Sequence, residues 1–397
     1  MREHSGNWML FFLYTDNQSF VQNHVVIIGI LPIFVVNFYV MKKSVLSILA
    51  CALLLAAPLF VQAQEGVSYK LTNKGVVRNT VQDGKQESMN VLKPILILKT
   101  RYEMDIEEGY SRFSVKNARL GVQGDLSKIF SYKFMVDFSA ENKLSVLDLY
   151  AVLKPSNRLS FTLGQQGLSL FNSWTVSPNS LDYVNRPFIG KYFISSRDIG
   201  VAMKYALKNQ GFPINAELGV YNGTGINNPT WNKSVAVGGR LEFGSVKKGF
   251  RTSAKFYNLK NADGLTDTYW GADARYAGSD FKIEAEYMTK NMNDREPGAL
   301  NAAYIQGMYK IKVNNPSISR VEPVLRWDGM GYDITDRGLG VNRVTVGANM
   351  VFKTTSFTSM LRLNYEHYFN NSMDLSALFK TPMYNTDKLS LEYLLYF

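Results

Sequence analysis

The sequence predicts an all-β fold, a 16-stranded antiparallel transmembrane β-barrel. Three observations predict it: short segments that alternate polar and apolar residues, connections that alternate between short and long, and an N-terminal export signal. No later segment holds the roughly 20 consecutive apolar residues that a membrane helix requires. Barrel strands alternate lipid-facing and lumen-facing side chains, so they contain no long apolar run.

The segment 388–397 shows the alternation most clearly. Its apolar residues occupy every second position and end on Phe397, whereas Lys388, Ser390 and Glu392 occupy positions between them. A strand of about ten residues with one apolar face is the repeating unit of a transmembrane barrel. The segment therefore predicts a strand whose apolar face is covered by lipid.

Sixteen such segments follow one another along the chain. Their predicted bounds are 94–102, 113–124, 131–138, 146–153, 159–166, 197–205, 214–221, 235–243, 251–257, 268–276, 281–288, 303–312, 319–327, 342–352, 357–368 and 388–397. From the fourth connection on, the even-numbered connections are short and the odd-numbered ones mostly long, with 167–196 the longest. Outer-membrane barrels have this asymmetry, with short periplasmic turns and long extracellular loops.

The N-terminal region predicts export. Residues 41–63 have a basic start, an apolar middle and small residues before a cleavage site after Ala63, which is typical of a signal peptide. We expect residues 1–40 to reflect a start codon assigned too far upstream; a membrane segment at 25–40 is the alternative. Residues 64–93 are expected to form a periplasmic segment or a first hairpin, and 94–397 the barrel.

Composition narrows the possible partners and chemistry. The net charge of +11 is compatible with nucleic acid, anionic lipid or an anionic solute. Export argues against nucleic acid and leaves outer-membrane lipid and small hydrophilic solutes as the expected partners. Cys51, the only cysteine, lies inside the signal peptide, so disulfides and thiolate-bound zinc are excluded from the exported chain. We predict no cofactor.

Side-chain parity places charged residues on the lumen face. Charged groups on the lipid face cost about 2–4 kcal/mol each near mid-membrane. The predicted lumen bases are Arg119, Lys133, Lys204, Arg240, Lys255, Arg275, Lys282, Arg320, Arg326, Arg343, Arg362 and Lys388, and the acids are Asp137, Asp148, Glu217, Glu242, Asp273, Glu284, Glu286, Glu322, Glu366 and Glu392. These twelve bases and ten acids indicate a wet lumen with a mild anion preference. The strand-end aromatics Tyr150, Tyr276, Trp327 and Tyr368 suit the interfacial girdles.

Several segments in order resemble the phosphate-selective porin O and P family. They include Ala118–Leu126, Tyr132–Ser139, Arg197–Val201, Gly219–Gly225 and Val321–Asp328, and the likeness spans about 76–397. The resemblance implies a trimeric outer-membrane porin that prefers phosphate or other anions. It also implies that the third extracellular loop folds into the pore as a constriction, which corresponds here to 167–196.

These expectations define the candidate site. We expect solute contact from Arg119, Lys133, Arg240, Arg275, Arg326 and Arg343, and from Arg186 and Lys191 of the constriction loop. A non-conducting structural or adhesin barrel is the alternative function.

The sequence gives little support for a catalytic site or a metal site. His367 is the only histidine after the signal peptide, and Ser359 lies on the same face of its strand. The two are eight residues apart, about 26 Å at ~3.3 Å per residue, so they cannot form a catalytic pair. We predict no catalytic residues and no metal site. The acids Asp328, Asp333 and Asp336 could bind calcium, but exposed loops often carry such residues.

Overall fold

The structure is a computed structural model of the whole chain. It describes the following residues: 67–72, 75–82, 85–140, 143–172, 178–208, 211–245, 248–260, 264–293, 298–332, 339–369, 372–373 and 386–397. The predicted signal peptide and the segment before it lie outside the described residues.

Almost all of the described chain is β-strand. The strands are β1 Val67–Thr72, β2 Gly75–Gln82, β3 Lys85–Asp105, β4 Ser111–Asp125, β5 Phe130–Ala140, β6 Lys143–Leu153, β7 Leu159–Gly167, β8 Arg197–Lys208, β9 Ile214–Tyr221, β10 Ala236–Gly244, β11 Gly249–Lys260, β12 Thr266–Ala277, β13 Phe281–Met292, β14 Ala299–Tyr309, β15 Ile311–Lys312, β16 Ile318–Gly331, β17 Val341–Phe352, β18 Thr358–Phe369 and β19 Lys388–Tyr396. A 3₁₀ turn at Pro178–Ser180 and a four-residue helix, α1 at Ile189–Tyr192, lie between β7 and β8.

The strands from β3 to β19 close into one antiparallel barrel. Each pairs with its neighbour along the chain, and β19 pairs with β3, from Lys388↔Asp105 to Tyr396↔Ile97. Because β14 and β15 both pair with β16, they form one interrupted strand, and the barrel has 16 strands. The predicted fold is confirmed, and the sixteen predicted segments correspond in order to these strands.

The first strands extend beyond the barrel. β1, β2 and the first half of β3 form a small antiparallel sheet. This sheet corresponds to the segment 64–93, for which the sequence predicted either a periplasmic segment or a first hairpin. Arg78 donates a hydrogen bond to the carbonyl of Leu126 at 3.0 Å, and Tyr132 donates one to the carbonyl of Val91 at 3.0 Å. A Cβ at Gly124 would lie 2.1 Å from the Val91 oxygen, so only glycine permits this approach. β3 therefore begins at Lys85, nine residues before its predicted start, because it serves both sheets.

The outward face of the barrel is apolar. Leu149, Leu218 and Leu325 are between 53% and 58% exposed, whereas the charged residues beside them on the strands point inward. An exposed apolar wall of this extent is stable only in contact with lipid. Among the described residues, no helix is long and apolar enough to cross a membrane.

The two ends of the barrel differ in the lengths of their connections. One end, called here the short-turn end, carries 126–129, 154–158, 209–213, 245–248, 278–280, 313–317 and 353–357. The other, the long-connection end, carries 106–110, 141–142, 168–196, 222–235, 261–265, 293–298, 332–340 and 370–387.

Candidate functional site

The connection between β7 and β8, residues 168–196, is called the inner loop, and its described residues, 168–172 and 178–196, lie inside the barrel. Phe171 and Phe188 are 0% and 1% exposed, although they belong to a connection rather than to a strand. They join an apolar cluster with wall residues that include Tyr269 and Tyr368. The Phe188 and Tyr368 rings lie 6.2 Å apart. Burial of these side chains fixes the loop against the wall, since each buried aromatic contributes about 1.5–3 kcal/mol.

Hydrogen bonds attach the inner loop to strands on several sides of the barrel. The Val184 amide donates to Oδ1 of Asn364 at 2.7 Å, and Arg101 donates to the Val184 carbonyl at 2.7 Å. The Tyr183 hydroxyl donates to the Gly307 carbonyl at 2.8 Å. The partners lie on β3, β14 and β18, so the loop crosses the lumen and narrows it.

Asp328 also attaches the inner loop to the wall. Its carboxylate accepts a hydrogen bond from the Phe188 amide at 2.9 Å and from Arg343 at 2.7 and 3.0 Å. Arg343 also donates to the Arg186 carbonyl at 3.0 Å and pairs with Glu366 at 3.1 Å. Asp328 therefore cannot be a ligand in an exposed calcium loop, because it lies in β16 and is 0% exposed.

The part of the barrel wall that the inner loop covers is inaccessible to solvent and is called the dry wall. Arg326, Arg362, Glu366 and Glu392 are at most 1% exposed and are held in ion pairs, with Arg362 and Glu392 at 3.1 Å. The sequence predicts a lumen lined by water-exposed charges. On this side the charges face the loop instead, because the loop covers them.

Open space remains on the other side of the lumen. A cavity of about 890 Å³, called the basic cavity, extends from the turns 126–129 and 154–158 to the inner loop. Its lining contains ten bases and three acids. The bases are Arg119, Lys128, Lys133, Lys154, Arg158, Arg186, Arg197, Lys204, Arg240 and Arg251, and the acids are Asp148, Glu217 and Glu242. This lining is far more positive than the balance of twelve bases and ten acids predicted for the whole lumen.

Three arginines converge where the basic cavity meets the inner loop. Arg119 pairs with Asp137 at 2.8 Å through Nε, and Arg197 pairs with Asp148 at 2.7 Å. Nη1 of Arg119 and Nη1 of Arg186 are buried and have no hydrogen-bond partner among the residues that the structure describes. Burial, followed by the charges of Arg119 and Arg197, lowers the pKa of Arg186 below its usual value. An anion among these guanidinium groups would relieve the repulsion and satisfy the free donors.

A second cavity of about 840 Å³ opens at the short-turn end on the opposite side. Its bases are Arg275, Lys282, Lys310, Arg320 and Lys353. Lys282 is paired with Asp182 of the inner loop, and Arg320 with Glu322 at 2.6 Å. The lining of this cavity has five bases and two acids, a smaller excess of positive charge than the ten bases and three acids of the basic cavity.

The structure separates the predicted site residues into groups. Arg119, Lys133, Arg186 and Arg240 line the basic cavity, and Arg275 lines the second cavity. Arg326 and Arg343 lie in the dry wall, where Arg326 donates to the Asn185 carbonyl at 2.9 Å. Lys191 belongs to α1, and its side chain lies outside the described part of the structure.

Sequence reasoning missed several inward-facing charges. Arg251 has the parity of Lys255 on β11 and was therefore detectable. Lys99 and Arg101 share the inward face of β3 and pair with Glu392 at 3.3 and 2.8 Å. Arg197 stands at the first residue of its strand, where parity is least informative.

Two aromatics assigned to the interfacial girdles face inward instead. Tyr150 lines the basic cavity, and Tyr368 packs against the inner loop. Tyr150 lies two residues after the inward-facing Asp148, and Tyr368 two residues after the inward-facing Glu366. Both rings therefore lie on the inward face of their strands, although they stand near a strand end.

The residues considered for enzyme chemistry lie on the outer wall. Nδ1 of His367 lies 2.8 Å from Asp387 at the long-connection end, and the Ser359 hydroxyl donates to Tyr393 at 3.0 Å. Ser359 and His367 do not meet. No group of His, Cys, Asp or Glu within the described ranges has the arrangement of a metal site.

Solved structures with the same architecture are outer-membrane porins and channels. The anion-selective porin from Comamonas acidovorans has a TM-score of 0.54 at 14% identity and covers 77% of this chain and 98% of that chain. OmpF from Salmonella typhi, in complex with daunomycin, has a TM-score of 0.56 at 11% identity and covers 83% and 100%. The channel DcaP of Acinetobacter baumannii has a TM-score of 0.53 at 12% identity and covers 77% and 98%.

These similarities show a porin-like fold. Identities this low support no closer relationship. The chain matches no protein-family model. It matches no curated protein by sequence. The resemblance to the phosphate-selective porins remains a prediction.

Proposed function

We propose that this chain is an outer-membrane porin through which small hydrophilic solutes diffuse passively, with a preference for anions. The basic cavity carries the proposal, because ten of its thirteen charged lining residues are basic. A low-dielectric wall lined by one sign of charge raises the local concentration of ions of the opposite sign. A preference for cations would instead require an excess of acids in the lining.

The proposed path runs along the β4–β10 side of the lumen. Lys128, Lys154 and Arg158 stand at the short-turn mouth, Lys133 and Lys204 farther in, and the arginine cluster at the inner loop. Conduction requires sites that attract a solute yet release it. The acid partners of Lys133, Arg119 and Arg197, namely Asp148 and Asp137, moderate the attraction so that an anion can move on.

Arg119, Arg186 and Arg197 are the proposed anion contacts where the basic cavity meets the inner loop. The planar guanidinium group donates two parallel hydrogen bonds and suits phosphate and carboxylate equally well. Phosphate is therefore proposed as one favoured solute among oxyanions. Arg326 and Arg343 are proposed to hold the inner loop rather than to contact solute.

The location and assembly are also part of the proposal. The apolar outer wall and the predicted signal peptide support export to the outer membrane as a multi-pass barrel. We propose a homotrimer, and an OmpT of similar fold from Vibrio cholerae is described in a trimer form at 14% identity and a TM-score of 0.50. A trimer predicts a slow-migrating band on an unheated gel that collapses to the monomer on boiling.

A reversal-potential measurement tests the anion preference. In a planar bilayer under a salt gradient, the double variant Arg119→Gln/Arg186→Gln should lose most of the anion selectivity of the wild type while it retains conductance. Lys233→Gln is the matched control, since this exposed lysine lies in the connection 222–235, away from the basic cavity. If the double variant and the control gave the same reversal potential as the wild type, the arginine assignment would be wrong.

A non-conducting structural barrel is the second candidate function. The apolar cluster between the inner loop and the wall favours it, because the cluster fills part of the lumen. The two functions differ in one observable. A folded, heat-modifiable barrel that never gives stepwise conductance would be the structural protein.

A further inference from the structure

The inner loop is held unequally on the two sides of the lumen. On the side of the dry wall, the carbonyls of Val184 and Arg186 accept hydrogen bonds at 2.7 and 3.0 Å, and the amide of Phe188 donates one at 2.9 Å. Of residues 184–188, all of which the structure describes, Arg186 alone lines the basic cavity. The contact of this segment with the cavity side therefore depends on one side chain.

The guanidinium group of Arg186 meets like charge on the cavity side. The charged groups that act on it most strongly are Arg119 of β4 and Arg197 of β8, and both are positive. Within the described residues Arg186 forms no ion pair, and its Nη1 is buried without a hydrogen-bond partner, as is Nη1 of Arg119. A buried donor without a partner is destabilising. The protein alone thus provides repulsion here and no bond between the loop and this part of the wall.

The three arginines and the groups paired with them carry an unbalanced charge. They comprise four bases and two acids: Arg119, Lys133, Arg186, Arg197, Asp137 and Asp148. The net charge is +2, and the paired side chains are at most 23% exposed, so water screens the excess only in part. A doubly charged oxyanion, such as hydrogen phosphate or sulfate, matches this charge and accepts parallel hydrogen bonds from guanidinium groups.

We propose that a doubly charged oxyanion bound between Arg119, Arg186 and Arg197 tethers the inner loop to β4 and β8. The inference rests on the proposed anion pore and deepens it, because it gives the same site a second role. The bound anion replaces repulsion between the loop and this part of the wall by attraction. Occupancy of the site by solute therefore controls how firmly the constriction is held.

Thermodynamic linkage gives the size of the effect. A ligand that binds the docked loop and not the undocked loop lowers the undocked population by the factor 1 + [L]/Kd. At a concentration about 100 times Kd, the undocked population falls about 100-fold. Amides that exchange only from the undocked loop slow by the same factor. A singly charged anion leaves part of the excess charge unbalanced and should have a much smaller effect.

Hydrogen exchange of the full chain, in micelles of an uncharged detergent, measures the tether. Peptides that cover 184–188 are followed in sodium phosphate and in sodium chloride of equal ionic strength, at a slightly alkaline pH where phosphate is mostly doubly charged. Phosphate should slow their exchange by up to about 100-fold as the site saturates, and sulfate should do the same. The turn 278–280, outside the basic cavity, is the internal control and should exchange equally in all three salts.

Matched variants locate the anion. Arg186→Gln removes the guanidinium group but keeps the backbone carbonyl that accepts from Arg343, so the loop should dock in chloride and lose its response to phosphate. Arg158→Gln is the control, because Arg158 lines the same cavity from the exposed turn 154–158 and should retain the response. Equal exchange of the wild type in phosphate and chloride, or a phosphate response of equal size in Arg186→Gln, would overturn the inference.

Conductance recorded in parallel separates this inference from the proposed function. Anion-selective conductance of a wild type whose loop exchange does not respond to phosphate would keep the pore and overturn the tether. A phosphate response that depends on Arg186, in a folded barrel that never conducts, would support the tether and overturn the pore.

Discussion

Asp328→Asn should loosen the inner loop. The substitution keeps the shape of the side chain but removes its charge from a site that is 0% exposed. Breaking a buried ion pair costs about 3–5 kcal/mol. We expect the lower end of this range for the whole barrel, about 3 kcal/mol, because Arg343 keeps Glu366 at 3.1 Å.

The inner loop itself loses one charge-assisted hydrogen bond, from the Phe188 amide at 2.9 Å. Hydrogen bonds to charged groups contribute about 1.5–3 kcal/mol. A loss of about 1.5 kcal/mol raises the population of the undocked loop about tenfold. Amide hydrogen exchange over 178–193 should therefore accelerate about tenfold, with more frequent fluctuations of the conductance.

Asp280→Asn is the matched control for this measurement. Asp280 lies exposed in a turn of the short-turn end, and its substitution should leave the exchange of the inner loop unchanged. If Asp328→Asn left the exchange of residues 184–190 at the wild-type rate, Asp328 would not hold the loop.

Two further substitutions test the wall and the last long connection. Gly271→Ala places a Cβ 2.1 Å from the Tyr287 carbonyl oxygen, so it should destabilise the barrel by about 1–3 kcal/mol. Heat-modifiability gels should show a lower melting temperature. Gly307→Ala is the control and should leave the melting temperature unchanged, because the nearest atom to its Cβ lies at 3.7 Å. Burial raises the pKa of Asp387, but hydrogen bonds from Tyr365 and His367 outweigh it and hold the pKa below its usual range. The resulting stabilisation is present above the unfolded value of about 3.9 and is lost as pH falls through the lower folded value. The Tyr368 amide donates to Asp387 at 3.0 Å. Its protection factor, the intrinsic exchange rate at a given pH divided by the observed rate, should therefore fall in acid in the wild type and be low at neutral pH in Asp387→Asn. Equal protection factors in the two proteins at neutral pH would contradict this.

The strand pattern was predictable because the barrel wall obeys a local rule. Each strand has one face toward lipid, so its period of two is visible in the sequence without knowledge of its neighbours. Leu325 and Arg326 show the result, since the first is 58% exposed and the second is 1% exposed. The register shift at Lys99/Thr100 leaves the order of the strands unchanged.

The site was less predictable because it depends on where the inner loop lies. Arg326 and Arg119 have the same inward parity, yet the loop covers Arg326 and leaves Arg119 at the basic cavity. Nothing in the alternation of β16 or β4 records that difference. Arg186 is a similar case, because its importance comes from its proximity to Arg119 and Arg197 on other segments.

The reversal potential of the full chain in a planar bilayer under a salt gradient tests the central claim most directly. The account predicts stepwise conductance with a reversal potential on the anion-selective side, and a shift toward zero when Arg119 and Arg186 are both replaced by glutamine. Cation selectivity, or no conductance from a folded and heat-modifiable barrel, would contradict it.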